Sequence, residues 1–435
     1  MNQFQPATYA SRYPDVANHI ANDPTPKNQA VYVPAITPGF AIDVHAQKWT
    51  RSLPRGVGAG DLNFLDPSNP LLPISHALSS AGQALNQTKD CIVTARDRSA
   101  TTLICDSGGY QIASGLLKIH GNQDRLRILR WLETHADYAM TLDVPTGSVG
   151  KPEYPYKTSG ECLSATLEHL AFFHANRKAP NVKFLNVLQG NTTSESDIWY
   201  DAVKQYQFEG WAFAGYLRHN FYNLCRRILI MASEGQIQDK AWIHILGTGS
   251  LEVAVLLTAL QRSINRHINP TLRISYDTSS AFRSLRWHDA YTFPNFSFKR
   301  MSMSQETVPD NFQFIGSDIR WPWSSPLGDK LVMGDICVRD SLGLSTRRDQ
   351  QSNHYIVHHN LGALCWAIAN ANRIFDAEYV TGTPTIAKHV AATAWAIEEV
   401  IKSGSMPVLN RHSHDLGRTL TDAPTEPGDD DHIVA

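Results

Sequence analysis

The sequence predicts an α/β protein whose eight parallel strands close into a (β/α)8 barrel, followed by a C-terminal insertion and helices. Three observations predict it. Short runs rich in apolar and β-branched residues alternate with longer segments of helical period, the pattern of parallel β/α units. Eight such runs can be counted, the number a closed barrel needs. Several of them end in polar residues at a strand-to-helix turn, which is where a parallel barrel gathers its chemistry. A doubly wound open sheet shares the first feature and is the competing architecture.

The predicted strands are Ala30 to Ile36, Cys91 to Ala95, Thr102 to Cys105, Tyr138 to Leu142, Lys183 to Leu188, Gly210 to Ala214, Trp242 to Leu246 and Leu272 to Tyr276. Among the intervening helices, Thr158 to Ala175 opens with a capping box formed by Thr158 and Glu161. Ser250 caps Leu251 to Leu260 in the same way. The barrel core therefore occupies residues 30–285. Residues 286–340 are rich in aromatics and proline with no clear period, as an elaborated insertion would be. Helices near Asn360 to Ile374 and Ile386 to Ile401 belong to a C-terminal helical part, 341–420, that completes the catalytic domain. A polar extension (1–29) and an acidic tail (421–435) flank the whole.

Composition narrows the class. With 42% hydrophobic, 18% charged and 9% aromatic residues in 435, the chain is neither disordered nor fibrous. Its longest apolar stretch, around Val253 to Leu260, falls well short of the roughly 20 residues a membrane helix needs. The first 20 residues lack a basic start followed by an apolar core, so secretion is not expected. Six scattered cysteines without a C-x-x-C pair read as reduced, buried thiols, and a cytoplasmic location follows. The net charge of −2 means that a nucleic-acid partner would have to be met by a local basic patch.

The strand ends carry the chemistry. The third strand runs into Asp106-Ser107-Gly108-Gly109, the fourth ends at Asp143, the fifth at Gln189-Gly190, the sixth at Ala214-Gly215-Tyr216 and the eighth at Asp277-Thr278. Taken singly, an Asp in such a turn is more often a cap or an Asx turn than a catalyst. Three aspartates after three strands of one barrel would face one pocket. Carboxylates, an amide and glycine backbone suit the edge of a planar purine-like ring. Spacing alone leaves glycosidic chemistry and metal binding both open.

In order, DSGGYQ (106–111), LDVP (142–145), VLQGN (187–191), GWAFAGY (210–216), ILGTGS (245–250) and YDTSS (276–280) resemble the tRNA-guanine transglycosylase superfamily. The resemblance covers roughly residues 30–285, with a weaker echo in HHNLGALCWAI (358–368). It implies a modified (β/α)8 TIM barrel of that superfamily's type. By the same resemblance, Asp277 matches the nucleophile that attacks the sugar C1′, and Asp106 handles the proton on the leaving and entering purine nitrogen. Asp143, Gln189 and the backbone of Gly215 match the base-recognition set. Ser107 and Gly108 fall where the ring is contacted, and Tyr110 replaces the family's usual Phe.

Two departures bear on the substrate. The tRNA-modifying members hold structural zinc with a cysteine motif and a His, whereas the matching positions here are Asp335, Cys337, Asp340 and His359. One thiolate, one imidazole and two carboxylates make a poor structural zinc set. Cys337 and His359 are therefore weak metal candidates and no cofactor is committed. The Pro-Thr-Arg after the family's nucleophile is also missing, and Gln261 to Arg300 interleaves basic with aromatic residues. Arg283, Arg286, Lys299 and Arg300 in that stretch would meet phosphates, with stacking on unpaired bases beside them. These changes favour the DNA-acting branch, the bacterial and phage transglycosylases that replace guanine in DNA with a 7-deazaguanine base. The alternatives are exchange in tRNA and a non-catalytic RNA-binding accessory subunit. Accessory proteins or a homo-oligomer are compatible with any of these.

Overall fold

The computed structural model describes residues 28–418 except 86, 88, 219, 284–288, 341–342, 344, 347–348 and 382–385. Its main sheet has eight strands: β1 (Val31–Pro34), β2 (His76–Ser80), β3 (Thr102–Asp106), β4 (Tyr138–Met140), β5 (Lys183–Leu188), β6 (Gly210–Phe213), β7 (Trp242–Ile245) and β8 (Arg273–Thr278). Every neighbouring pair is parallel in the order β1-β8-β7-β6-β5-β4-β3-β2. A bridge between Ala35 and Leu78 brings the two edges together, and the Ile36 N–H donates to the Leu78 carbonyl at 3.0 Å. The sheet is a (β/α)8 barrel.

Helices follow the strands in turn: α1 (Pro38–His45), α2 (Ala81–Ala84), α3 (Gly109–Ala113), α4 (Asn122–His135), α5 (Ser159–Asn176), α6 (Thr193–Val203), α7 (Phe221–Ser233), α8 (Leu251–His267) and α9 (Ser280–Arg283). Four of their starts are capped by the preceding side chain. Thr158, Thr192, Asn220 and Ser250 each accept from the backbone N–H three residues on, satisfying a donor that the helix itself leaves unpaired. The Glu161 carboxylate reaches back to the N–H of Lys157, one residue before the position a capping box predicts.

Strand alternation sorts the core into two layers. Val31, Val33, Leu78, Ile104, Met140 and Leu185 lie inside the barrel with Ala212 and Trp242, so the interior is packed, as in barrels generally. Near the N-terminal ends of the strands, the Trp242 and Tyr138 rings stand 4.3 Å apart. The alternate residues, such as Phe184, Ile243 and Ile274, join the larger core beneath the helices.

Seven of the eight predicted strands are present and one is displaced. Cys91 to Ala95 forms turns, not a strand. The Thr94 hydroxyl bonds both the N–H and the carbonyl of Cys91, a local pairing that competes with a sheet ladder, while Cys91, Ile92 and Val93 are buried in the core. The true second strand, His76–Ser80, has three polar residues in five and gives little apolar signal. Its last inward position, Ser80, reaches the site.

The 286–340 segment holds more regular structure than expected. Strands β9 (Asp289–Phe296) and β10 (Met301–Thr307) form an antiparallel ribbon. Pro294 and a register shift between Met303 and Gln305 obscure its period, and Pro is tolerated because both strands of a two-stranded ribbon are edges. Two long helices come next, α10 (Gln350–Thr381) and α11 (Lys388–Ser403). The first begins ten residues before its predicted start. Asn360 and Gly362, which read as a helix boundary, instead serve tertiary contacts: the Asn360 side chain bonds the Tyr291 N–H and the Asp289 carbonyl, and Gly362 lies against Pro326. Most of the predicted extension (1–29) and all of the acidic tail (421–435) lie outside the described residues. No described helix is long and apolar enough to cross a membrane. All six cysteines are free thiols.

Candidate active site

Five polar side chains occupy inward positions near the C-terminal ends of the strands: Ser80 (β2), Asp106 (β3), Gln189 just past β5, His244 (β7) and Asp277 (β8). Asp143 joins them from the loop after β4. That loop is held from behind by α5, where the Thr166 hydroxyl accepts from the Val144 N–H at 2.9 Å. The Tyr154 hydroxyl donates to the Pro145 carbonyl at 2.6 Å from the other side.

The three aspartates are treated differently by their surroundings. Asp277 accepts from the Gly247 N–H at 2.8 Å and pairs with His244 Nε2 at 3.1 Å. Both bonds end on Oδ1, so Oδ2 carries no hydrogen bond among the described residues. His244 is fully buried, and its Nδ1 meets the Ser275 hydroxyl at 2.7 Å. Ser275 Oγ also accepts from Trp242 Nε1 at 2.6 Å. A neutral His244 that donates from Nε2 to the carboxylate must accept at Nδ1, and the Ser275 hydroxyl can donate there while still accepting from Trp242. The column Trp242–Ser275–His244 thus favours the imidazole tautomer that holds Asp277.

Asp106 and Asp143 sit in the opposite situation. Burial pushes Asp106 up to about 6, against the hydrogen bonds from Ser80 and the backbone of Gly108 and Ser107, and the Asp277 charge adds to the rise. Asp143 is pushed up to about 7 by burial, opposed by the Gln189 amide that donates to its Oδ2 at 2.7 Å, with the Asp106 charge contributing to the rise. The Ser80 hydroxyl lies 3.2 Å from Asp106 Oδ2 and 2.9 Å from Gln111 Oε1. With one proton to give, it can donate to Gln111 and accept from a protonated Asp106. Carboxylates whose environments separate their proton affinities are the arrangement by which one site supplies both an acid and a nucleophile.

The remaining sequence-predicted residues fall in varied places. Ser107 is fully buried and its hydroxyl donates to the Thr141 carbonyl at 3.1 Å, tying the end of β3 to β4. Gly108 has φ +110°, and a Cβ there would stand 2.8 Å from Gly82 Cα. Its glycine is thus required by the contact between α2 and the turn after β3, whatever a ligand does. A Cβ on Gly109 would press against Asp143 Oδ1 at 3.0 Å. Tyr110 is 42% exposed, four residues beyond Asp106. Gly215 has φ +55° and packs on the Gly190 carbonyl, beside Gln189 Oε1.

Two of the four expected nucleic-acid contacts can be placed with their side chains. Lys299 and Arg300 are exposed in the turn of the β9–β10 ribbon, next to Phe298 and with Phe293 on the preceding strand, both more than half exposed. Arg286 lies outside the described residues, and Arg283 is described only in its backbone at the end of α9. Arg262 and Arg266 are committed elsewhere, pairing with Asp376 and Glu398 on the C-terminal helices. Arg273 lies over Trp242 at the first residue of β8.

The matching positions do not fit a zinc site. His359 is fully buried inside α10, with Nδ1 on the Ser325 hydroxyl at 2.8 Å and Nε2 on the Tyr291 carbonyl at 2.9 Å. Cys337 Sγ lies 3.2 Å from the Pro309 carbonyl and Asp335 caps the Val332 N–H. No group of three or more His, Cys, Asp or Glu among the described residues is arranged around a common centre.

Sequence reasoning missed Ser80, Gln111, Arg218 and His244. His244 was detectable as the one ionisable residue within the apolar run WIHI at an inward parity, whereas Ser80 was hidden with its strand. Fold and site together define a (β/α)8-barrel protein with a carboxylate-lined mouth. Neither a protein-family model nor a curated protein matches the chain.

Proposed function

We propose that the protein is a base-exchange transglycosylase, replacing guanine in DNA with a 7-deazaguanine through a covalent glycosyl-enzyme intermediate. The observation that carries this reading is the division among the aspartates. Asp277 has one oxygen held by His244 and the Gly247 N–H and the other without a partner among the described residues, while Asp106 rests near the pH at which it can give and take a proton. This reading also draws on the resemblance of the six strand-end segments to the transglycosylases.

In the first half-reaction Asp277 Oδ2 bonds to C1′ as the C1′–N9 bond breaks, and its electrons pass to the purine. Asp106 delivers a proton to the departing base, leaving as a carboxylate. In the second half, Asp106 takes the proton from the incoming base, whose nitrogen displaces Asp277 from C1′. Two inversions retain the sugar's configuration. Before a base enters, the Gln189 amide is the one side-chain donor to Asp143 among the described residues. The N1–H and 2-amino group of a guanine ring would supply further donors and favour its charged form. Tyr110, exposed four residues after Asp106, would cover a ring face.

DNA is preferred as the polymer because the ribbon turn offers Phe298, Lys299 and Arg300 to a strand from which a base has been flipped. The test is incubation of the protein with guanine-labelled duplex DNA or with tRNA, plus a 7-deazaguanine base, followed by nucleoside analysis. Release of guanine and incorporation into DNA supports the reading. Incorporation into tRNA alone overturns the polymer assignment, and binding without release from either polymer supports an accessory role.

A further inference from the structure

We propose that Arg218 binds a phosphodiester flanking the nucleotide whose sugar meets Asp277. Arg218 ends the 3₁₀ turn Gly215–Arg218 that follows β6. Its Nη1 donates to the Gly247 carbonyl at 3.1 Å and to the Leu246 carbonyl at 3.4 Å. Gly247 is the same residue whose N–H holds Asp277 Oδ1, so one peptide links the guanidinium to the carboxylate. Gly247 has φ +63°, and a Cβ there would stand 2.4 Å from Arg218 Nη1. The glycine leaves the space that the guanidinium fills.

Among the described residues, the charge of Arg218 has no carboxylate paired with it. Arg96, Arg177, Arg226 and Arg262 each pair with a carboxylate. The Arg218 side chain keeps a surface open to solvent, burial of its guanidinium lowers its pKa while the Asp277 charge opposes that shift, and no carboxylate lies within ion-pair distance among the described residues. Two backbone carbonyls engage one edge of the fork, leaving donors for an anion. A guanidinium suits this task, because its planar fork matches two oxygens of a phosphate.

The inference rests on Asp277 as the nucleophile, and the chemistry then demands a second anion. When C1′ bonds to Asp277, the carboxylate becomes a neutral ester and Arg218 loses the one carboxylate charge that acts on it among the described residues. The phosphates closest to C1′ in the polymer are the groups able to replace it. Arg218 therefore distinguishes a nucleotide within a strand from a free nucleoside.

The experiment uses the full chain with single-stranded DNA oligonucleotides holding one guanine. In separate oligonucleotides the phosphate on its 5′ side or its 3′ side is replaced by a neutral methylphosphonate. Binding is measured over a salt series with wild type, Arg218→Gln and Arg218→Lys, and covalent adduct is trapped in parallel with Asp277→Ala as control. Arg218→Gln is expected to weaken binding about tenfold and to reduce the salt slope by about one, with Arg218→Lys retaining part of both. One of the two methylphosphonates should cost wild type a similar factor and cost Arg218→Gln nothing more. Additive losses from both methylphosphonates, or an unchanged salt slope, would overturn the inference. Missing adduct in wild type would refute the nucleophile assignment instead, because the binding cycle still reports whether Arg218 meets a phosphate.

Discussion

Asp143→Asn is expected to make the protein more stable, and increasingly so as the pH rises. A carboxyl raised from its ordinary 3.8 to about 7 binds its proton more tightly in the folded than in the unfolded chain. Between those values the native state holds the extra proton, so stability falls with rising pH, and the full cost is present above about pH 7. Three pH units correspond to about 4 kcal/mol. The side chain is buried, so solvent screening removes little of this. Asparagine keeps the shape and a carbonyl for the Gln189 amide while removing the charge. Spread over the unfolding entropy of a chain this long, the gain raises the thermal midpoint by about 4 °C at pH 8 and vanishes near pH 4. Thermal scans of both proteins from pH 4 to 8.5 measure it. A difference that does not depend on pH, or a variant that loses stability as pH rises, would refute the reasoning. Because Asp106 and Asp143 repel each other, removing either charge eases the other, and the double asparagine variant should gain less than the sum.

Further outcomes follow from the same geometry. Asp277→Ala should abolish adduct and exchange while DNA binding persists, as measured by denaturing gels beside a filter-binding assay. Affinity for a free guanine-like base should rise as pH increases through about 7, where Asp143 loses its proton, and calorimetry on Asp143→Asn should show that dependence gone. His244→Phe removes a hydrogen bond to a charged partner and should slow adduct formation about 10- to 100-fold, with His244→Gln recovering part of the rate in a quenched time course. Charge-neutral substitutions at Lys299 and Arg300 should each flatten the salt dependence of DNA binding by about one unit if each meets a phosphate.

How far the molecule could be read from its sequence depended on which physical signal each part emits. Lys183–Leu188 is buried from its second residue on and is mostly apolar, so its bounds were legible to the residue, while the other strands found were legible to within a residue or two. His76–Ser80 has three polar residues in five, of which Ser80 reaches the mouth, so a residue that serves the site also weakened the strand's apolar signal. Cys91 to Ala95 shows the converse, being apolar because it is buried under the barrel and not because it pairs. The aspartates were legible as strand-end residues. Their differing environments were not, since those depend on Ser80, Gln189 and His244 arriving from other strands. Gly108 illustrates a subtler limit: its need for glycine was visible, but the agent, Gly82 of α2, became apparent only in three dimensions.

Helix α10 has 32 residues, about 48 Å of rod. Near its start Gln350 and His354 meet Asp43 of α1, and Gln351 bonds the backbone of Thr50 and Arg51. Towards its end Asp376 pairs with Arg262 of α8 and meets Gln29, just before β1. The rod therefore clasps the first and the last units of the barrel across the seam where β1 meets β8. During synthesis those units are made about 230 residues apart, as the Ala30 to Thr258 hydrogen bond illustrates, and their clasp emerges later still. A nascent chain halted before Gln350 would leave β1 and β8 joined by their own ladder, without the rod across them. The ribosome must deliver most of the protein before the pocket's own frame is secured.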